Sequence, residues 1–161
     1  MYQIAIVDDN EAWCFILEAR LGQHGYAVST FTDPDAFLRE AERFDLALID
    51  FSMPPRRYQI NTDGPDVICR LRQRVANPPL VILISSFFTD DILSQTSDLG
   101  LEADAYLSKS VESAGLLRQI DRLLAPKRSL AREKSQGRTD SQQRSERSSV
   151  MEMGDSLRRC G

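Results

Sequence analysis

The chain is poor in the residues on which cross-linked and metal-stapled proteins depend. Its 161 residues include three cysteines, Cys14, Cys69 and Cys160. The number is odd, the spacing is not that of metal ligands, and two of the three fall within helical patterns. Reduced thiols of the cytosolic kind are therefore expected. The one histidine, His24, stands where a helical pattern stops, and a structural or solvent-facing role is expected for it. No run approaches the roughly 18 apolar residues of a membrane span, and Met1-Tyr2-Gln3-Ile4 lacks the basic-then-apolar start of a secretory signal. A soluble, cytoplasmic chain is the expectation.

Aromatic residues are absent from residues 126–161, as is apolar periodicity. That segment holds 9 basic and 5 acidic residues and is expected to be a disordered, polar, basic tail, because it cannot bury enough surface to fold alone. Its charge is thinly spread, so ordinary solvation is favoured over binding to nucleic acid or acidic lipid. After Leu124 there is no helix-turn-helix pattern, no catalytic motif and no second core, so no DNA-binding domain is expected.

Residues 1–125 are different. They carry 11 basic and 19 acidic residues and enough apolar content for one domain with a real core. Two periods alternate along them. Tyr2–Val7 is a β-type run that stops at Asp8-Asp9-Asn10, and Trp13, Ile16, Leu17 and Leu21 then recur at helical spacing up to Gly22 and Gly25. Ala27–Phe31 is a second strand, and Asp33-Pro34 opens a second helix through Phe37 and Ala41. The run Leu46-Ala47-Leu48-Ile49 delivers Asp50 to the end of a third strand, buried on both faces. Helix 3 spans about Pro65 to Val75. Leu80–Ile84 is the most apolar strand and stops at Ser85-Ser86; helix 4 follows over Asp90–Leu99. A short strand, Ala105–Leu107, leads to Lys109, and Leu116, Leu117, Ile120, Leu123 and Leu124 mark helix 5.

Five strands alternating with five helices predict an α/β fold, a doubly wound parallel sheet in the order 2-1-3-4-5. Ligands of such sheets collect at the carboxyl ends of the strands, where the strand order reverses. Asp50 by itself reads best as a turn residue ahead of Met53-Pro54. Asp8 or Asp9 alone reads as a helix cap, Ser85 as a strand-end hydroxyl, and Lys109 as a solvated lysine. The topology brings all of them to one edge, and clustered carboxylates repel one another unless a cation is present. Hard oxygen ligands suit Mg²⁺.

With these residues in place, the chain resembles the receiver domain of two-component response regulators, over about residues 1–125. The motif consists of Asp8-Asp9 after strand 1, Asp50 in Asp50-Phe51-Ser52-Met53-Pro54, Ser85 after an apolar strand, and Tyr106 three positions before Lys109. The resemblance implies a flavodoxin-like receiver fold and a phosphoacceptor signalling protein rather than an enzyme. It makes Asp50 the phosphoacceptor, served by a sensor histidine kinase or a histidine phosphotransfer protein. Asp8, Asp9, Asp50 and the main-chain carbonyl of Ser52 would hold Mg²⁺. Lys109 would contact the phosphoryl group, Ser85 would donate a hydrogen bond to it and act as a switch, and Tyr106 would be the aromatic switch. A stand-alone receiver acting by protein contact or phosphoryl relay is expected. The alternatives are a receiver-like scaffold that works without phosphorylation and a Mg²⁺-dependent phosphohydrolase, for which Ser52 stands where a second Asp would be needed.

Three departures from the family pattern stand out. Ser110 follows Lys109 where the family usually has proline after a cis bond, and a trans bond is expected here. The loop from Pro54 to Gly64 is about six residues longer than usual and lies beside the site; a tolerated surface insertion is favoured over contact of Arg56, Arg57 and Tyr58 with the phosphoryl group or a partner. Phe87 and Phe88 follow Ser85-Ser86: facing solvent they would mark a docking patch, folded inward they would seal helix 4 onto the sheet, and the resemblance implies that position 87 flanks the path of water to the acyl phosphate.

Overall fold

The computed structural model describes residues 1–54, 63–94 and 102–158, the last of these by main chain alone beyond residue 135. The loop residues Arg56, Arg57 and Tyr58 lie outside the described residues, as does Cys160. The chain divides into two units, Met1–Leu123 and Leu124–Gly161.

The first unit is built on five strands, β1 (Gln3–Val7), β2 (Ala27–Phe31), β3 (Leu46–Asp50), β4 (Leu80–Ser85) and β5 (Ala105–Ser108), all parallel, in the order β2-β1-β3-β4-β5. Every residue of β3 is buried, as expected for a run with no polar alternation in the centre of a sheet covered on both faces. The strand β2, at one edge, is only half-buried. Register pairs Val7 with Ile49, Asp50 with Ile84, and Ser85 with Ser108. The ends of β1, β3, β4 and β5 therefore fall on one line across the sheet.

The helices are α1 (Glu11–Gln23), α2 (Pro34–Glu40), α3 (Gly64–Arg74), α4 (Asp90–Ser94) and α5 (Ser113–Arg158), with a 3-10 turn at Ala41–Arg43. Three begin on side-chain caps. Asn10 accepts from the Trp13 N–H at 3.1 Å, Asp33 from Asp35 at 3.1 Å and Asp63 from Asp66 at 3.1 Å, each worth about 1 kcal/mol. Pro34 and Pro65 sit in the first turns of their helices, where the missing N–H has no partner to lose. After α1 the chain reverses at Gly25, whose φ of 84° is open to glycine without strain.

The buried face of α1 is Cys14, Leu17 and Leu21. Trp13 is half-buried and Ile16 is 45% exposed, so of the four apolar residues noted at helical spacing only Leu17 and Leu21 are buried. Residues 12–17 are apolar throughout, and two overlapping helical stripes fit the pattern equally well. The other face of the sheet is packed by Phe37 of α2 and by Val67, Ile68 and Leu71 of α3. Phe31 meets Phe37 and Phe44 edge to face, with ring centroids 5.8 and 5.7 Å apart. Helix α4 is described through Ser94, and the remainder of the stretch expected to be helical, up to Leu99, lies outside the described residues.

In the second unit, α5 runs through Pro126 to Arg158. Arg, Glu, Lys and Gln, all good helix formers, recur there. Side chains add local bonds, from Ser129 Oγ to the Ala125 carbonyl and from Ser135 Oγ to the Arg132 carbonyl. No helix among the described residues is long and apolar enough to cross a membrane.

Candidate functional site

The site lies at the carboxyl ends of β1 and β3, where successive connections leave in opposite directions and a crevice opens. Asp8 follows β1 and Asp50 ends β3. Both are buried, 2% and 6% exposed, whereas Asp9 is exposed. Oxygens of the three carboxylates lie within 4.8 Å of one another. Asp8 is held by its surroundings: Oδ1 accepts the Asn10 N–H at 2.9 Å, and its main-chain carbonyl takes the Cys14 thiol at 3.5 Å.

Lys109, just beyond β5, reaches across to this pair. Its Nζ lies 2.5 Å from Asp8 Oδ2 and 3.3 Å from Asp50 Oδ1. No cis peptide bond occurs among the described residues, so the Lys109–Ser110 bond is trans as expected, and the ammonium nonetheless points into the site. Nζ also lies 5.5 Å from the centroid of the Trp13 ring, so Trp13 is part of the wall of the site rather than of the core. That role is invisible in a helical periodicity.

Burial raises the Asp50 carboxyl to about 6, the Asp8 charge adds to the rise, and Lys109 opposes it. For Lys109, burial disfavours the charged form, but the hydrogen bonds and charges of Asp8 and Asp50 outweigh it and raise the pKa overall. The lysine is thus an ammonium, and Asp50 is a carboxylate of unusually high proton affinity. Cys14, pushed up to about 11 chiefly by burial and then by Asp8, remains protonated at neutral pH.

Ser85 ends β4 with a buried side chain. Its Oγ accepts the Phe87 N–H at 3.1 Å, and its carbonyl accepts the Lys109 N–H at 3.0 Å. The two phenylalanines that follow have opposite fates. Phe87 is 73% exposed and Phe88 is 7% exposed. The Phe88 ring packs edge to face between Phe51, which follows Asp50, and Tyr106, at centroid distances of 5.5 and 6.4 Å. Tyr106 is half-buried against the core. Gly64, which opens α3, is a further residue of the site. A Cβ there would stand 2.5 Å from the Asp50 carbonyl oxygen and 2.6 Å from Leu83 Cδ1. Its N–H bonds the Phe51 carbonyl at 2.9 Å. The sequence signal for it was the Asp63-Gly64 pair, which reads first as a helix start. Ser52 is exposed just past β3.

Two buried carboxylates and a lysine at the switch point of a five-stranded, all-parallel 2-1-3-4-5 sheet define a receiver-type α/β domain. Residues 4–121 match the family described as response regulator receiver domain, and the chain belongs to that family. It is 31% identical over 109 residues to the alkaline phosphatase synthesis transcriptional regulatory protein PhoP of Bacillus subtilis, covering 66% of this chain and 42% of that protein. It is 25% identical over 123 residues to the nisin biosynthesis regulatory protein NisR of Lactococcus lactis, covering 75% and 49%. The chain thus spans less than half the length of these two relatives. Among solved structures, the BeF3-activated DrrB receiver domain superposes with a TM-score of 0.60 at 27% identity, covering 78% of this chain and 98% of that one. The BeF3-activated receiver domain of Klebsiella pneumoniae RstA gives 0.60 at 25% identity, covering 76% and 97%.

Proposed function

We propose that this receiver domain accepts a phosphoryl group on Asp50 from the phosphohistidine of a sensor histidine kinase or a histidine phosphotransfer protein. The single observation that carries the proposal is the bridging of Asp8 and Asp50 by Lys109. It puts a fixed cation beside the carboxylate oxygen that would attack. In the transfer, an Asp50 Oδ forms a bond to phosphorus as the phosphorus–nitrogen bond of phosphohistidine breaks. The electron pair returns to the imidazole nitrogen, and the product is an acyl phosphate. At neutral pH Asp50 is mostly ionised despite its raised pKa, so the nucleophile is available.

Asp8, Asp9 and Asp50 offer hard oxygen donors close enough to share one Mg²⁺, and the Ser52 carbonyl, just past β3, would complete the protein ligands. When bound, Mg²⁺ would neutralise charge on the transferring oxygens. Lys109 would pair with one phosphoryl oxygen as a point charge. Ser85 would exchange its bond with the Phe87 N–H for one donated to the phosphoryl group, and Tyr106 would turn inward behind it. The changed surface of β4, α4, β5 and α5 would be read by a partner protein.

The test is incubation with acetyl phosphate and Mg²⁺, followed by intact mass of the wild type and of Asp50→Asn. One added phosphoryl mass on the wild type alone is expected. Its absence from the wild type would favour a scaffold that works without phosphorylation.

A further inference from the structure

We infer that Ser108 is a positioning residue for Lys109, standing in for the ring constraint that proline would impose at position 110. The inference deepens the phosphoacceptor reading and rests on it for its kinetic consequence, though its geometric content is independent of it.

Four bonds define the turn that carries Lys109. The Lys109 N–H is tied to the Ser85 carbonyl at 3.0 Å, which fixes the entry from β5. The Val111 N–H returns to the Ser108 carbonyl at 3.1 Å, closing a four-residue turn with Lys109 second. Ser108 Oγ accepts the Ser110 N–H at 3.2 Å, a side-chain turn nested within the first. The hydroxyls of Ser108 and Ser110 lie 2.7 Å apart. Ser108 therefore closes the turn through both its carbonyl and its hydroxyl.

A proline at 110 would lack an N–H and would hold its φ through the ring. Serine leaves both the N–H and the φ free, and an unsatisfied N–H beside Lys109 would leave the turn open to alternatives. The Ser108 hydroxyl takes that N–H. Lys109 is a flexible four-carbon stem whose ammonium must span to two carboxylates and past Trp13. Its reach is set by the main chain it leaves, so loosening the turn spreads the ammonium over a wider volume and weakens both contacts.

Trp13, the single tryptophan of the chain, reports on this position directly. The experiment compares wild type, Ser108→Ala, Ser108→Thr and Lys109→Ala. Trp13 emission is read on each unphosphorylated protein, and the phosphorylation rate with acetyl phosphate and Mg²⁺ is read by intact mass. Lys109→Ala is expected to change the emission by removing the cation over the ring. Ser108→Ala is expected to move part of the way towards it, and Ser108→Thr, which keeps the hydroxyl, to remain at the wild-type spectrum. Phosphorylation of Ser108→Ala is expected to be about threefold to tenfold slower, the scale set by one lost hydrogen bond. Wild-type emission from Ser108→Ala, with Lys109→Ala shifted, would overturn the inference. So would wild-type emission from Lys109→Ala, because the ammonium would then not lie over Trp13. If the wild type takes up no phosphoryl group, the phosphoacceptor reading fails, and the emission series still decides the role of Ser108.

Discussion

Lys109 Nζ stands 3.3 Å from Asp50 Oδ1, and the same ammonium is 2.5 Å from Asp8 Oδ2. One cation therefore holds two buried carboxylates that would otherwise repel each other at the end of the central strands. The relationship makes Lys109 a stabilising residue as well as a chemical one.

Replacing Lys109 by alanine should accordingly destabilise the metal-free protein by on the order of 3 kcal/mol, because two buried carboxylates lose their counter-charge. Urea unfolding with and without millimolar Mg²⁺ measures this. A larger gain from Mg²⁺ for Lys109→Ala than for the wild type is expected, since the added cation would take over the neutralisation.

Asp50→Asn should act in the opposite sense. The Asp50 carboxyl titrates near 6 in the fold, above its ordinary value of 3.8. The folded protein therefore binds the proton more tightly than the unfolded chain. Stability from this group falls as pH rises between those values, and the full penalty is present above about pH 6. The amide cannot ionise, so the variant should be more stable than the wild type by about 1–3 kcal/mol at pH 7.5 without divalent cation, and by roughly half as much at pH 5. Denaturant midpoints at the two pH values in chelator give the comparison; an equal difference at both would contradict the raised pKa.

Gly64→Ala should cost about 1–3 kcal/mol, because the added methyl meets the Asp50 carbonyl and Leu83, and main chain has little room to yield. Thermal unfolding reads the stability. The same variant should accept less phosphoryl from acetyl phosphate than the wild type at equal folded fraction, since it displaces the end of β3.

The adjacent phenylalanines should separate cleanly. Phe88→Ala removes a buried ring between Phe51 and Tyr106 and should cost on the order of 3 kcal/mol. Phe87→Ala, at an exposed position, should change stability by less than about 0.5 kcal/mol. Its effect is expected instead on the phosphorylated form, whose half-life should shorten as water gains access to the acyl phosphate. An unchanged half-life for Phe87→Ala would remove that shielding role.

The strands were legible in the sequence, because Ile4–Val7, Leu46–Ile49 and Leu80–Ile84 are short apolar runs bounded by polar residues or proline, the pattern of strands in a sheet covered on both faces. The caps at Asp33 and its following proline were equally plain, being local chemistry. What local pattern could not decide was which stripe of α1 is buried, since Trp13, Cys14, Phe15, Ile16 and Leu17 offer two. The sheet beneath selects Cys14, Leu17 and Leu21 and leaves Trp13 beside Lys109. Phe87 and Phe88 were ambiguous for the same reason, and the rings of Phe51 and Tyr106 chose between them.

The sequence by itself determined the order of the elements, the parallel sheet and the arrival of Asp8, Asp9, Asp50, Ser85 and Lys109 at strand ends, because hydrophobic period and turn chemistry act over a few residues at a time. Only the tertiary structure decided how those groups face one another. The bridging of Asp8 and Asp50 by Lys109 and the fit of Gly64 against the Asp50 carbonyl depend on distances between residues far apart in the chain. Such distances are set by strand register and close packing, which no single stretch of sequence contains.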